Sequence, residues 1–224
     1  VTTPIIPSAT EVCAGSTINY SVANHPGSTY NWTVVNGTPA NVTGGINNLD
    51  LTWDLIGGVS GSIHVEEVTA CGSTGTKDLF VDIYSLPVVD FSGLNTDYCI
   101  EAAPVILTGN PAGGSFSGPG ITGITFTPSS AGAGTHNIIY TYTDPVTTCT
   151  NQKTIQTTVH SKPVVSFSGL NSQYDLSDPA SVLIGNPSGG AFSGPGISGI
   201  TFTPSSAGVG MHTITYTYSD AYCT

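Results

Sequence analysis

Apolar residues recur at every second position in short runs, and glycine, proline and asparagine separate the runs. Period two belongs to a strand with one face buried, and the 3.6-residue spacing of a helix is missing almost everywhere. In the first part of the chain the pattern predicts strands near 18–22, 29–34, 49–53, 62–68 and 77–84. Within the last of these, Leu79, Val81 and Ile83 share one face. Further on, strands are predicted near 88–91, 105–108, 114–117, 123–127, 136–143 and 153–159, and most recur 76 positions later, up to Tyr218. His136, Ile138, Tyr140 and Tyr142 share the side expected to face a core, as do His212, Ile214, Tyr216 and Tyr218.

That recurrence is a true repeat. Residues 87–144 and 163–220 align without a gap and agree at 38 of 58 positions. A unit this long is a small domain and not a solenoid turn. Short strands separated by turn residues every 8–12 positions point to antiparallel sandwiches. The expected fold is all-β: three tandem small antiparallel β-sandwich domains, at 1–85, 86–161 and 162–224, forming an elongated rod. The joints, Tyr84-Ser85-Leu86-Pro87 and Val159-His160-Ser161-Lys162-Pro163, are short and carry a φ-locked proline, which leaves little hinge freedom. The third unit is expected to lack its last strand, because the stretch matching NQKTIQTTVH would start where the sequence stops. With no secretory leader in view, the chain reads as an excised part of something longer.

Charge narrows the partners. Net charge is −11, the only cationic side chains besides histidine are Lys77, Lys153 and Lys162, and arginine is absent. Phosphate recognition needs a basic groove, so nucleic acid is excluded as a partner. No apolar run approaches the roughly 18 residues of a membrane span, so membrane insertion is not expected.

Five cysteines remain to be placed. Cys13 and Cys71 bracket the first unit, and Cys99 and Cys149 the second. Neither pair has zinc-site spacing, so the expectation is one disulfide per domain, Cys13–Cys71 and Cys99–Cys149. By chain entropy each contributes on the order of 4 kcal/mol, and disulfides imply an oxidising, extracellular location. Asp175 stands where the repeat would put the partner of Cys223. Cys223 is therefore expected to be an unpaired thiol, the alternative being a bond to another chain or to a cysteine outside the sequence.

The strings VCAGSTINYSV, STYNWTVVNG and LTWDLIGGVSGSIHVEEVTACGS resemble the PKD-like domains of large Bacteroidota cell-surface and secreted proteins. LTGNPAGGSFSGPGITG, FTPSSAGAGTHNIIYTYTD and their second copy resemble the immunoglobulin-like repeats of the same proteins. The resemblance implies a type IX-like export route, and roles in adhesion, gliding, surface filaments or spacing beside catalytic domains.

No motif carries chemistry of its own. Gly118-Pro-Gly120-Ile-Thr-Gly123 and its copy at 194–199 match G-x-G-x-x-G formally, but a strand follows where the dinucleotide motif needs a helix. Both are read as turns. His25, His64, His136, His160 and His212 accompany no nucleophile elbow, and the matched pair 136/212 reads as structural. Asp144 and Asp220 sit in matching loops. An acidic array is compatible with calcium, but no D-x-D-x-D-G loop is present, so solvated loops are preferred and no cofactor is expected. Trp32 and Trp53 read as core residues; exposed together with Tyr30 they would instead form a sugar-stacking platform. Of the sequons at Asn31, Asn36 and Asn41, Asn36-Gly37 reads as a turn. The expected function is non-catalytic: an extracellular structural or adhesive repeat segment of a surface protein or filament, acting as a stiff spacer or interaction array. The alternative is an accessory, carbohydrate-contacting segment of a secreted hydrolase. Expected partners are other domains of the same chain, with copies of itself in a filament, surface glycans or other cells also compatible.

Overall fold

The structure is a computed structural model and describes residues 5–7 and 9–223. The first repeat unit holds β1 (Glu11–Cys13), β2 (Thr17–Ser21), β3 (Thr29–Val35), β4 (Gly37–Thr38), β5 (Asn41–Gly45), β6 (Asn48–Trp53), β7 (Val59–Thr69) and β8 (Gly72–Tyr84). The second holds β9 (Asp90–Ser92), β10 (Asp97–Cys99), β11 (Val105–Ile106), β12 (Thr108–Asn110), β13 (Ser115–Ser117), β14 (Ile121–Thr122), β15 (Thr125–Phe126), α1 (Pro128–Ala131), β16 (Gly134–Thr143) and β17 (Thr150–His160). The third holds β18 (Ser166–Ser168), β19 (Ser181–Val182), β20 (Ile184–Asn186), β21 (Ala191–Ser193), β22 (Ile197–Ser198), β23 (Thr201–Phe202), α2 (Pro204–Ala207) and β24 (Thr215–Thr217).

The first repeat unit is a sandwich. One sheet has the order β1-β8-β7-β3-β5 and the other β2-β6-β4. Alternation does the work: Tyr30, Trp32 and Val34 on β3, Leu49, Leu51 and Trp53 on β6, Ile63 and Val65 on β7, and Val81 and Ile83 on β8 all point into one core. The indole N–H of Trp53 donates to the Tyr20 hydroxyl at 3.1 Å inside that core, so its one polar atom is satisfied there. The burial that surrounds Tyr20 pushes its phenol pKa up.

Two strand pairs among the described residues are parallel. β1 runs parallel to β8, and β10 runs parallel to β17. In the first two units the cysteine-bearing strand near the start thus lies beside the last strand and shares its direction. The third repeat reproduces the smaller sheets and ring contacts of the second. Val105 faces Phe126 as Ser181 faces Phe202, and Ile121 faces Phe126 as Ile197 faces Phe202. Phe91 meets Phe116 edge-on at 5.3 Å, and Phe167 meets Phe192 at 5.5 Å. Gly120 holds φ +77°, and a Cβ there would come within 2.7 Å of the Thr127 carbonyl, which is why the turn needs glycine at this position.

By its contacts the chain divides into two compact units. The first runs up to Asp90 and includes Gly109–Gly114 and Tyr140–Lys153. The second comprises Phe91–Thr108, Ser115–Ile139 and the residues from Thr154 onward.

Candidate functional site

The disulfides do not follow the sequence expectation. Cys13 bonds Cys149 and Cys99 bonds Cys223, with Cα separations of 5.6 and 5.1 Å, and Cys71 is the free thiol, exposed to solvent. Strand register gives the reason. Cys13 lies opposite Tyr84, at the end of β8, whereas Cys71 precedes the start of that strand. β8 is 13 residues long, so the two cysteines are roughly 40 Å apart at ~3.3 Å per residue. No disulfide spans more than about 7 Å between Cα atoms. The same argument separates Cys99, opposite His160, from Cys149, which precedes the 11-residue β17. Cys223, expected to be unpaired, is the residue that reaches Cys99.

One bond thus joins the end of β1 to the loop before β17, and the other joins the end of β10 to the loop after β24, and each of these two loop cysteines is presented by an aspartate. Asp144 Oδ1 accepts the backbone N–H groups of Val146 and Thr147, both at 2.9 Å, while its own N–H donates to the Cys149 carbonyl. Asp220 Oδ1 accepts from Tyr222 at 2.8 Å and Cys223 at 2.6 Å, and its N–H donates to the Cys223 carbonyl. The N–H groups of Thr147 and Val146 hold the Asp144 carboxyl below its usual range, and those of Cys223 and Tyr222 do the same for Asp220. Both carboxylates are thus committed to shaping their own loops. Among the described residues no three His, Cys, Asp or Glu side chains converge as a metal site would require.

Side chains next to each disulfide add to the joint. Asn151 Nδ2 donates to the Pro87 carbonyl at 2.9 Å, beside the Cys13–Cys149 bond. Beside the Cys99–Cys223 bond, the Tyr222 ring lies flat on the His160 imidazole, with centroids 3.6 Å apart and planes 1° apart. His160 Nε2–H donates to Asp97 at 2.8 Å, and Lys162 Nζ donates to Glu101 at 2.9 Å. The hydrogen bond from His160, helped by Thr96, holds the Asp97 carboxyl below its ordinary pKa.

The remaining candidates resolve locally. Tyr30, Trp32 and Trp53 are each 1% exposed, so they form no sugar-stacking platform. His136 Nε2–H donates to the Gly132 carbonyl at 2.8 Å and His212 to that of Gly208 at 3.0 Å, the structural role expected of the pair. Asn36 takes φ +61° between β3 and β4, the conformation its Asn-Gly turn requires. The matched aspartate loops were visible in the sequence; the His160–Tyr222 stack was not, because Tyr222 lies outside the aligned copies.

Comparison with solved structures gives distant likeness. The fibronectin(III)-like modules of Clostridium thermocellum CbhA are 18% identical, over 70% of this chain and 92% of theirs, at TM-score 0.32. The ICAM-5 D1–D4 ectodomain fragment is 12% identical, over 96% of this chain and 67% of that one, at 0.34. A Bacteroides ovatus protein, SGBP-B, solved with a mixed-linkage heptasaccharide, is 13% identical, over 79% and 59%, at 0.26. No curated protein matches the chain. No helix among the described residues is long and apolar enough to cross a membrane. Residues 1–81 match the model of the PKD-like domain family.

Proposed function

We propose that this chain is a non-catalytic extracellular segment, structural or adhesive, built from three modules at 1–85, 86–161 and 162–224 that are clamped one to the next. The observation that carries this reading is the disulfide pattern. A bond within a module stabilises that module, whereas a bond from β1 or β10 of one to the loop of the next restrains the angle between them. Two such bonds in succession, with proline at each joint, suit a spacer that must transmit position or force. The acidic, arginine-free composition and the PKD-like match of residues 1–81 support a place in a large surface or secreted protein of the Bacteroidota kind. Small-angle scattering of the oxidised and the reduced chain tests the proposal. The expected result is a longer, narrower distance distribution when oxidised and a broadened one after reduction. Identical profiles in the two states would remove the clamp from the function.

A further inference from the structure

The outer face of the five-stranded sheet in the first repeat unit carries an exposed aromatic ring among carboxylates. Phe80 of β8 stands opposite Ser62 of β7, and Ser62 stands opposite Val35 of β3. One row to either side, Asp82 stands opposite Ser60 and Asp78 opposite His64. The strand neighbours Val34, Ile63, Leu79 and Val81 belong to the core, so these residues point outward. Phe80 is 72% exposed and Val35 51%. The small Ser62 between them makes β7 the floor of a shallow trough. Asp78, Phe80 and Asp82 alternate along β8, so a carboxylate-bearing residue stands about 7 Å to each side of Phe80. Ser60 Oγ donates to Asp82 Oδ1 at 3.1 Å, and His64 Nδ1 contacts Asp78 Oδ1 at 2.7 Å. Both contacts use Oδ1 and leave Oδ2 of each aspartate to accept from a ligand. Glu11, opposite Asp82, and Glu66, two residues past His64, add negative charge. No lysine offsets it. Lys77 stands opposite the buried Val65, on the core side of β8, and Lys153 and Lys162 pair with Asp90 and Glu101.

We propose that this face receives an arginine side chain from an extended segment of a different protein. The guanidinium lies over the Phe80 ring, its aliphatic stem crosses Ser62 towards Val35, and its N–H groups reach Asp78 or Asp82. Arginine suits the face better than lysine, because a planar cation can stack on the ring while it donates sideways to a carboxylate. Charge complementarity selects the partner. A second copy of this chain is not the occupant, because it has no arginine and would bring a net charge of −11 against four carboxylates. A neutral glycan would use the ring but not the charge. The proposal concerns the first repeat unit alone and does not depend on the clamped joints.

Titration of the intact 224-residue chain, followed by amide NMR shifts, tests this with a capped synthetic peptide of sequence SRVRS. The control peptide carries citrulline in place of both arginines, which keeps the shape and removes the charge. The expected result is saturable shifts confined to 33–35, 60–64 and 78–82, with the citrulline peptide bound about tenfold more weakly or worse. Phe80→Ala should weaken SRVRS about fivefold, since the ring face is lost. The residue is exposed, so unchanged shifts elsewhere in the spectrum check that the variant is folded. Asp78→Asn and Asp82→Asn should each weaken it about threefold. Asp175→Asn makes the same charge change in the third repeat and should leave the affinity unaltered. Absence of saturable shifts, equal affinity of the two peptides, or an Asp175→Asn effect as large as that of Asp78→Asn would overturn the proposal. So would Phe80-dependent binding of cellohexaose tighter than that of SRVRS, because the face would then be a sugar platform.

Discussion

At the scale of single residues, polar atoms decide whether an aromatic serves the core or a surface. Trp53 has its N–H satisfied by Tyr20, and the Trp32 indole N–H donates to the Ile46 carbonyl at 3.2 Å. Neither needs water, and both are 1% exposed. Trp32→Ala should therefore destabilise the first repeat unit by about 3–5 kcal/mol in a denaturant titration, the usual cost of a large core truncation. A folded variant of unchanged midpoint would place Trp32 outside the core. Asp220 acts differently. Its carboxylate holds the loop that offers Cys223, so Asp220→Ala should lower the fraction of Cys99–Cys223 bond formed during oxidative refolding. Asp144→Ala should do the same for Cys13–Cys149, and quantitative thiol counting against time distinguishes the two.

At the scale of elements, adjacent residues on a strand face opposite ways, and β7 shows the consequence. Glu66 is half-buried while its neighbour Glu67 is buried. Glu67 accepts from the Ser28 hydroxyl at 2.6 Å and contacts His25 Nδ1 at 2.8 Å, and its pKa is lowered to about 2, chiefly by Ser28 with His25 contributing. A carboxylate with a depressed folded pKa adds stability that is complete above the unfolded value and disappears as pH falls through the folded one. The thermal stability of the first unit should thus fall as pH drops from about 4.5 to 2, and Glu67→Gln should flatten that part of the profile. The same alternation explains what the sequence made legible. β3, β6, β7 and β8 stand out because large apolar residues mark one face, and the predicted strands match them closely. β5 escaped because its sequence, NVTGG, has only one apolar side chain; the Asn31 side chain, which accepts from Gly44 N–H, supports it instead. β1 escaped because three residues show no period. That omission had a large effect: the parallel placement of β1 beside β8 fixes where Cys13 points, so disulfide pairing could not be read without it. The junction was legible only in pieces, as two matched aspartates and a surplus cysteine.

At the scale of the whole molecule, cysteine position sorts into two kinds. Cys13 and Cys99 end β1 and β10, while Cys71, Cys149 and Cys223 occupy loops that follow the penultimate or last described strand of their repeats. Cys71 N–H donates to Thr69 Oγ1 as Cys149 N–H donates to Thr147 Oγ1, so the two loops are built alike. A head-to-tail pairing uses Cys13 and Cys99 and leaves Cys71 over, while a within-domain pairing leaves Cys223. The sequence separations of 136 and 124 residues give about 5 kcal/mol for each bond in the chain-entropy model. The two loops overlap between 99 and 149, so the sum overstates their joint effect. Alkylation of the native, non-reduced chain followed by proteolysis and mass spectrometry separates the two schemes. The expected outcome is a single label, at Cys71, together with cross-linked peptides joining 13 to 149 and 99 to 223. A label at Cys223 with peptides joining 13 to 71 and 99 to 149 would mean that each module is stapled to itself, and the resistance to bending assigned to the joints would then rest on proline and short linkers alone.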